Sequence, residues 1–413
     1  LSGNSCFKYL SKNNDITVYD DNNFLKNKKN KEYFSDKSTI AKKKFDYIVL
    51  SPGIDKKNCK LKNFLFKNYR KIITELDIFY LIFPKNIKIT ITGTNGKSTT
   101  CQMLHNIFKL NKIDARLVGN IGNSPLLEKK ISKKTIFIIE ASSYQISYSK
   151  YFTTNHAAIL NISADHLERH GNIKKYAKAK LKLIFKQSKN DYSYIENNNL
   201  IINKLISKKV IKPKINKLNY NKNIFFKKKI SNEYLLDKNN LNNIHFVYSI
   251  SKKFKFSDSS IFKSLNNFDG LNYRKQIIYN KNNLTIINDS KSTSFSSTTG
   301  LLSTYKNIYW IVGGMSKKGD KFNLHRKYYK NITAYIIGYN KAYFEKQFKN
   351  KIKFKYFGNL KKVISEIKIE IKNDTQKKVI LFSPAAASFD QFKNFEDRGN
   401  YFNNIVSKII VKS

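Results

Sequence analysis

Only three cysteines, Cys6, Cys59 and Cys101, occur in 413 residues, and no two stand at a pair spacing. That scarcity excludes a disulfide framework and a thiolate metal site, and it suits a reducing compartment. Long apolar runs are missing as well: no stretch of about 18 apolar residues could span a bilayer. Lys8, Lys12 and Asp15 interrupt the start of the chain, so no signal-peptide core is read there. No internal repeat at a solenoid period is found, and no long tract reads as disordered. What remains is a globular composition, 41% apolar, in a chain long enough for two or three domains with cores of their own. A cytoplasmic monomer without a membrane partner is expected.

Acidic residues are also scarce. Against 78 lysines and arginines stand 29 aspartates and glutamates, a formal charge of +49 at pH 7. A charge of that size raises the possibility of nucleic acid as a partner. Yet the lysines are spread along the whole chain, alternating with Asn and Ile, which are the residues AT-rich codons produce. Codon bias accounts for the composition, and no nucleic-acid partner is expected. Anionic substrates would still be drawn in by the field.

Residues 1–5 resemble the end of a glycine-rich turn, followed by a short helix over 6–12 and a strand over 16–19 that ends at Asp20. An acidic residue closing the strand after a turn and helix is the second strand of a nucleotide-binding βαβ unit. The strand that should precede Leu1 is missing, as is an initiator Met, so truncation at the N-terminus is expected. Residues 45–50 read as the next strand, ending at Ser51-Pro52-Gly53. A fresh α/β unit opens near residue 83, with strands over 87–92, 136–140 and 157–161 and a helix over 173–186. Residues 190–235, rich in Lys and Asn, read as an irregular, partly β stretch. After Asp269-Gly270-Leu271 a third unit opens, with strands over 284–288, 308–313, 334–337 and 379–382. Strands alternating with helices predict parallel, doubly wound sheets. The expected architecture is α/β in three domains: a truncated Rossmann-like unit (1–82), a central P-loop-type ATPase unit (83–271) and a C-terminal Rossmann-like unit (272–413).

The strongest local signal is Thr92-Gly93-Thr94-Asn95-Gly96-Lys97-Ser98-Thr99, placed between a strand and a helix. The glycines let backbone N–H groups face phosphate oxygens, and the helix N-terminus adds a favourable partial charge. Lys97 can reach the outer phosphates, and the Ser98 hydroxyl is placed to ligate Mg²⁺. Ile91 stands where the first glycine of the generic loop belongs. Without its setting, the same string would be a helix-capping turn.

In this shorter form the loop resembles the one shared by the Mur ligases and the folylpolyglutamate synthetases. Further segments follow in the order the Mur ligases show, over essentially the whole chain. Asn120, in Gly119-Asn120-Ile121-Gly122, matches a substrate-contacting loop. Glu140, in Ile139-Glu140-Ala141-Ser142-Ser143-Tyr144-Gln145, matches the Mg²⁺-binding glutamate. His166, in Asn161-Ile162-Ser163-Ala164-Asp165-His166-Leu167-Glu168-Arg169, matches the histidine serving the second metal position. Lys180 matches the lysine that carries a carbamate. Taken alone, His166 would be a surface or satisfied core residue and Lys180 a solvated helix lysine; only the ordered set lifts both. A carboxylate at a strand end, as in Glu140, does suit a hard cation in an open sheet.

In the third unit the resemblance assigns Arg274 and Asp289 to ATP, with Lys291 and Thr293 beside Asp289 facing the amino acid. It places Lys317, in Gly313-Gly314-Met315-Ser316-Lys317, at the D-glutamate side-chain carboxylate. Ser388, Phe389 and Phe395, in the run from Ser383-Pro384-Ala385 to Arg398-Gly399, would border the amino-acid pocket, although some of these phenylalanines will pack in the core. Leu1, Ser2 and Asp20 would be remnants of a uridine site. Asn240 and Asn243 would meet adenine, although Asp237-Lys238-Asn239-Asn240 replaces the Gly-x-His-Asn of relatives. Ser294 also stands where Asn is common.

The activity implied is ATP- and Mg²⁺-dependent ligation of D-glutamate to UDP-N-acetylmuramoyl-L-alanine in cell-wall precursor synthesis, through an acyl phosphate and with domain closure. Lys97, His166, Lys180 and Arg274 would be its catalytic groups. A folylpolyglutamate synthetase, or a Mur ligase for another amino acid, would keep the ATP loop but not the run from Ser388 to Phe395. A nucleic-acid-binding protein with an inactive loop is the competitor of another class.

Overall fold

The computed structural model describes residues 2–21, 31–220, 223–236, 238–317, 319–372 and 376–411. It divides into two compact units, Leu1–Phe268 and Asp269–Ser413.

The first unit opens with the helix Ser2–Leu10 and a two-stranded parallel sheet, β1 (Ile48–Val49) and β2 (Ile72–Ile73). Ile40, Leu50, Leu61, Leu65 and Ile72 form a small core of their own there. The strand expected over 16–19 is reduced to one parallel bridge, Val18 to Phe34, and the strand expected over 45–50 to two residues. Among the described residues, the backbone bonds of Val18 run to Tyr33 and Ser35.

Six parallel strands follow: β3 (Lys88–Thr92), β4 (Ala115–Gly119), β5 (Ile136–Glu140), β6 (His156–Ile159), β7 (Tyr192–Glu196) and β8 (Lys214–Leu218), in the order β4-β5-β3-β6-β7-β8. β3, β5 and β6 are buried along their whole length because helices cover both faces. Ile89, Ile91 and Ile138 face a core with the helices Lys97–Leu110, Lys238–Lys253 and Asp258–Asn266. Phe137, Ile139 and Ile159 face another, with Glu75–Ile82, Ser143–Tyr148 and Ile173–Phe185. Among its described residues, the stretch expected to be irregular over 190–235 contains β7, β8, the helices Leu200–Ile206 and Asn223–Lys229 and a short 3-10 turn, Glu233–Leu235. Its Lys-rich surface hides an apolar lining of Tyr194, Ile195, Ile202 and Leu205, all buried.

The second unit is a six-stranded sheet of β9 (Gln276–Lys281), β10 (Leu284–Asn288), β11 (Ile308–Gly313), β12 (Ile332–Ile337), β13 (Lys353–Gly358) and β14 (Lys378–Phe382), in the order β13-β12-β11-β14-β10-β9. All pairs are parallel except β9 with β10. Trp310, Ala334 and Leu381 line one face and Ile311, Tyr335 and Ile380 the other. Among the described residues no helix is long and apolar enough to cross a membrane.

Candidate active site

In a doubly wound sheet, ligands gather at the carboxyl ends of the central strands, where the crossovers diverge. β3 is that strand in the first unit, with β5 on one side and β6 on the other. These three strands deliver the Gly93–Ser98 loop, Glu140 and Asn161 to one place.

Asn161, just beyond β6, clamps the loop. Its backbone carbonyl accepts from the Thr94 amide at 3.0 Å, and its side-chain oxygen accepts from the Thr94 and Asn95 amides at 3.1 and 2.9 Å. Its amide nitrogen donates back to the Asn95 carbonyl at 3.1 Å. Gly96 caps the helix Lys97–Leu110 with φ +84°, and a Cβ there would stand 2.4 Å from the Asn243 side-chain oxygen. The dihedral requires glycine, and any Cβ there would also push the Asn243 amide aside. Asn243, expected at adenine, therefore sits on the turn of the loop itself. Asn240, one turn earlier on the same helix, is buried and donates to the Tyr234 carbonyl at 2.8 Å. Asp237 lies outside the described residues.

Lys97 folds over the loop, its ammonium donating to the Gly93 and Thr94 carbonyls at 2.9 and 2.7 Å. Beneath it the buried Ser98 hydroxyl donates to Glu140 Oε2 at 2.6 Å, and Asn120 Nδ2 donates to Glu140 Oε1 at 2.8 Å. Glu140 is only 1% exposed, so a carboxylate is held in the interior by hydrogen bonds from both sides.

Lys180 is as deeply buried. Its amine donates to the Gly93 carbonyl at 2.9 Å and to Thr92 Oγ1 at 3.3 Å, and lies 4.6 Å from the Tyr176 ring centroid. Burial, then the nearby Lys97 charge, holds its pKa well below the ordinary lysine value, with Asp165 and Glu140 pulling the other way. The Tyr176 hydroxyl lies 3.3 Å from Thr94 Oγ1 and its ring 6.4 Å from that of His166. The structure thus gathers Gly93, Thr94, Asn95, Gly96, Lys97, Ser98, Asn120, Glu140, Lys180 and Asn243 around one loop, with His166 one ring away. Thr99, buried one position further along the helix, follows Ser98 into its first turn. Ser2 opens the first helix, Asp20 stands two residues beyond the bridge at Val18, and Leu1 lies outside the described residues.

In the second unit the carboxyl ends of β10, β11 and β14 converge in the same manner. Asp289, just past β10, accepts from Ser383 Oγ at 2.7 Å and from the Lys275 amide at 3.1 Å. Burial pushes its pKa up to about 6, against those two hydrogen bonds and the charges of Lys275 and Arg274. The Lys291 ammonium lies 3.7 Å from the Phe395 ring centroid. The loop carrying Lys317 pairs with the loop carrying Ser388 through an antiparallel bridge, Met315 to Ala387. Gly314 permits that approach, since a Cβ there would meet the Ala387 carbonyl oxygen at 2.4 Å. Arg398, 1% exposed, braces the site from behind, donating to the Ser290 hydroxyl and carbonyl at 3.1 and 2.7 Å. Ser388 is buried and Phe395 half-buried, whereas Phe389, expected at the pocket's edge, is 69% exposed. Thr293 precedes the helix Phe295–Thr304 and is half-buried.

Asn161 and Tyr176 were not singled out from the sequence. Asn161 directly follows a strand that pairs with β3, which is the signal that could have found it. Tyr176 lies one helical turn before Lys180, on the same face. Among the described residues no three His, Cys, Asp or Glu side chains gather into a metal-sized group.

The family model of the Mur ligase middle domain matches residues 91–262. The UDP-N-acetylmuramoylalanine–D-glutamate ligase of Rickettsia prowazekii (strain Madrid E) is 33% identical over 97% of this chain and 94% of its own. The ligase of the same name from Francisella tularensis subsp. novicida is 33% identical over 89% of this chain and 87% of its own. Among solved structures, MurF ligase from Thermotoga maritima in complex with ADP superposes with a TM-score of 0.58 at 15% identity, covering 89% of this chain and 97% of that one. A pseudomurein peptide ligase type C from Methanothermus fervidus gives 0.55 at 18% identity, covering 98% and 96%. The structural likenesses speak for the fold.

Proposed function

The chain belongs to the Mur ligase family, and from that premise we propose that it joins D-glutamate to UDP-N-acetylmuramoyl-L-alanine in an ATP-dependent ligation, in the cytoplasm. Carrying this proposal is the 33% identity to a ligase of that name over nearly the full length of both chains. Geometry supports it, since a clamped glycine loop, a lysine hydrogen-bonded across it and a buried serine–glutamate pair are what a nucleoside triphosphate needs. The division of labour we infer is residues 1–82 for the UDP substrate, 83–271 for ATP and 272–413 for the amino acid.

The acceptor carboxylate would attack the γ-phosphate while Lys97 turns from the loop carbonyls to the phosphate oxygens. Such transfers are catalysed mainly by positioning and charge. Arg274 and Asp289 would serve ATP from the second unit, and Lys291, Thr293, Lys317, Ser388 and Phe395 would receive D-glutamate. Its amine would then attack the acyl phosphate and expel phosphate. Ser98 and Glu140 fit Mg²⁺, offering one hydroxyl and one carboxylate, hard oxygens that leave room for phosphate and water. His166 and a carbamate on Lys180 would serve a second ion. When bound, the metal supplies positive charge against the phosphate oxygens.

Phosphate release is expected only with ATP, Mg²⁺, the UDP-muramoyl-alanine acceptor and D-glutamate together. Equal turnover with L-lysine or meso-diaminopimelate would refute the amino-acid assignment.

A pH dependence follows from Asp289. Its pKa is raised on folding to about 6, so between its unfolded value and 6 the folded protein binds the proton and the unfolded chain does not. The stability this confers is complete at low pH and is lost as pH rises through 6; acidification through 6 therefore does not unfold the site. It does remove a charge assigned to ATP. kcat/KM for ATP is expected to fall below about pH 6 with circular dichroism unchanged. Asp289→Asn should lower activity and flatten that limb, and an unaltered limb in the variant would clear Asp289 of it.

A further inference from the structure

We propose that Tyr144 is a positioning residue for His166, and that Arg169 anchors Tyr144 to the Ser-Pro-Gly turn at residues 51–54. This rests on placing His166 in the phosphoryl-transfer site.

His166 adopts a left-handed backbone, φ 53° and ψ 32°, at the start of the four-residue helix Leu167–His170. A non-glycine residue keeps that conformation only where its surroundings over-determine it, and such residues cluster at functional sites. Carboxylates stand at both ends of its ring, Asp165 and Glu168 each 3.5 Å from a ring nitrogen. That pairing sets the long axis of the imidazole and leaves its plane to be set by packing. The Tyr144 ring supplies the packing, its centroid 4.9 Å from that of His166, and it also stacks on His170 at 5.4 Å and 13°.

Tyr144 is in turn held from its outer side. The Arg169 guanidinium lies 4.9 Å from the Tyr144 centroid and 5.5 Å from that of Tyr148. Its donors reach the carbonyls of Pro52 at 3.3 Å, Gly53 at 3.1 Å and Ile54, and the Tyr148 hydroxyl at 2.7 Å. Asp55 lies 3.7 Å away. A planar guanidinium can stack and satisfy several in-plane acceptors at once, which an ammonium cannot. A continuous chain of contacts therefore runs from the 51–54 turn through Arg169 and Tyr144 to His166. Through it, the turn in the region assigned to the UDP substrate is linked to His166.

Four variants of the full chain test this. Tyr144→Leu removes the aromatic face and keeps bulk; Tyr144→Phe keeps the face. The Leu variant is expected to lose roughly 10- to 100-fold in kcat, the scale of a sub-ångström to ångström misplacement, with KM for ATP little changed. The Phe variant loses only the long, exposed hydrogen bond from the Tyr144 hydroxyl to Glu168 Oε1 at 3.4 Å, so it should restore kcat to within about twofold if the ring acts by packing. In proton NMR the His166 ring resonance, assigned by its loss in His166→Gln, should lose its ring-current shift in the Leu variant and keep it in the Phe variant. Should Tyr144→Leu not fold, Arg169→Lys decides on the same two readouts, since it frees the outer face of Tyr144. A displaced His166 resonance with unchanged kcat would overturn the positioning role, as would a Phe variant as slow as the Leu variant. Full turnover in His166→Gln would instead remove the premise, and the proposal with it.

Discussion

Replacing Lys97 by alanine is expected to abolish phosphate release while leaving the melting temperature nearly unchanged. In the structure the Lys97 ammonium bridges the Gly93 and Thr94 carbonyls. Lys97 is half-buried, so water can take over those two acceptors when the side chain is removed. The fold therefore loses little. The transition state would lose more, because on the proposed reading Lys97 is the cation that turns from these carbonyls to the transferred phosphoryl group. Removing one preorganised charge or donor from such a site typically costs roughly 10²–10³ in kcat. Steady-state phosphate release, measured beside a thermal melt, checks both halves. An alanine variant turning over within about tenfold of the parent would mean that the lysine only caps its own loop.

How much of this site could be read in advance depended on how local each feature is. The loop from Gly93 to Ser98, Glu140 at its strand end and the run from Ser383 to Arg398 are each contained in one strand–turn–helix segment, so their types and spacing carry the signal. Asn161 and Asn243 act on the loop from 66 positions downstream of Asn95 and from a separate helix. Their roles exist only once β6 lies beside β3 and the helix Lys238–Lys253 packs on Lys97–Leu110. β13 escaped notice for a different reason. It is an edge strand whose Lys353 and Lys355 face solvent, so an apolar pattern never forms. In a chain this rich in lysine, surface composition says little about what lies beneath. The buried Lys88, Lys180 and Lys378 could not be told from their exposed neighbours by type.

Lys180 is the buried lysine with the largest consequence, and its replacement by alanine is expected to cost as much activity as that of Lys97. An ordinary solvated lysine would be neutral to substitution. The structure instead places this amine 1% exposed, against the Gly93 carbonyl and the Tyr176 ring, with its pKa driven well below normal by burial and by Lys97. That environment favours the neutral amine, the form whose lone pair can attack CO₂. In that reaction the C–N bond would form, one N–H proton would leave to solvent, and the side chain would become an anionic carbamate. An oxygen anion suits a hard divalent cation, and it would set a negative charge opposite Lys97. In Lys180→Ala a small carboxylate has room to stand in, so formate or acetate should restore part of the lost turnover. Mass spectrometry under bicarbonate, on intact protein trapped without acid, should show the added CO₂ in the parent and not in the variant. Lys178 is the control, being exposed on the same helix. Lys182 is not, because its ammonium donates to the Ser147 and Ser149 carbonyls at 3.0 and 2.6 Å and closes the end of the neighbouring helix. Its loss would disturb packing without touching chemistry, so a melting shift and no carboxylate rescue are expected there. Full activity in Lys180→Ala, or a loss that no carboxylate restores and that tracks the melting temperature as Lys182→Ala does, would leave Lys180 a structural donor to the loop and nothing more.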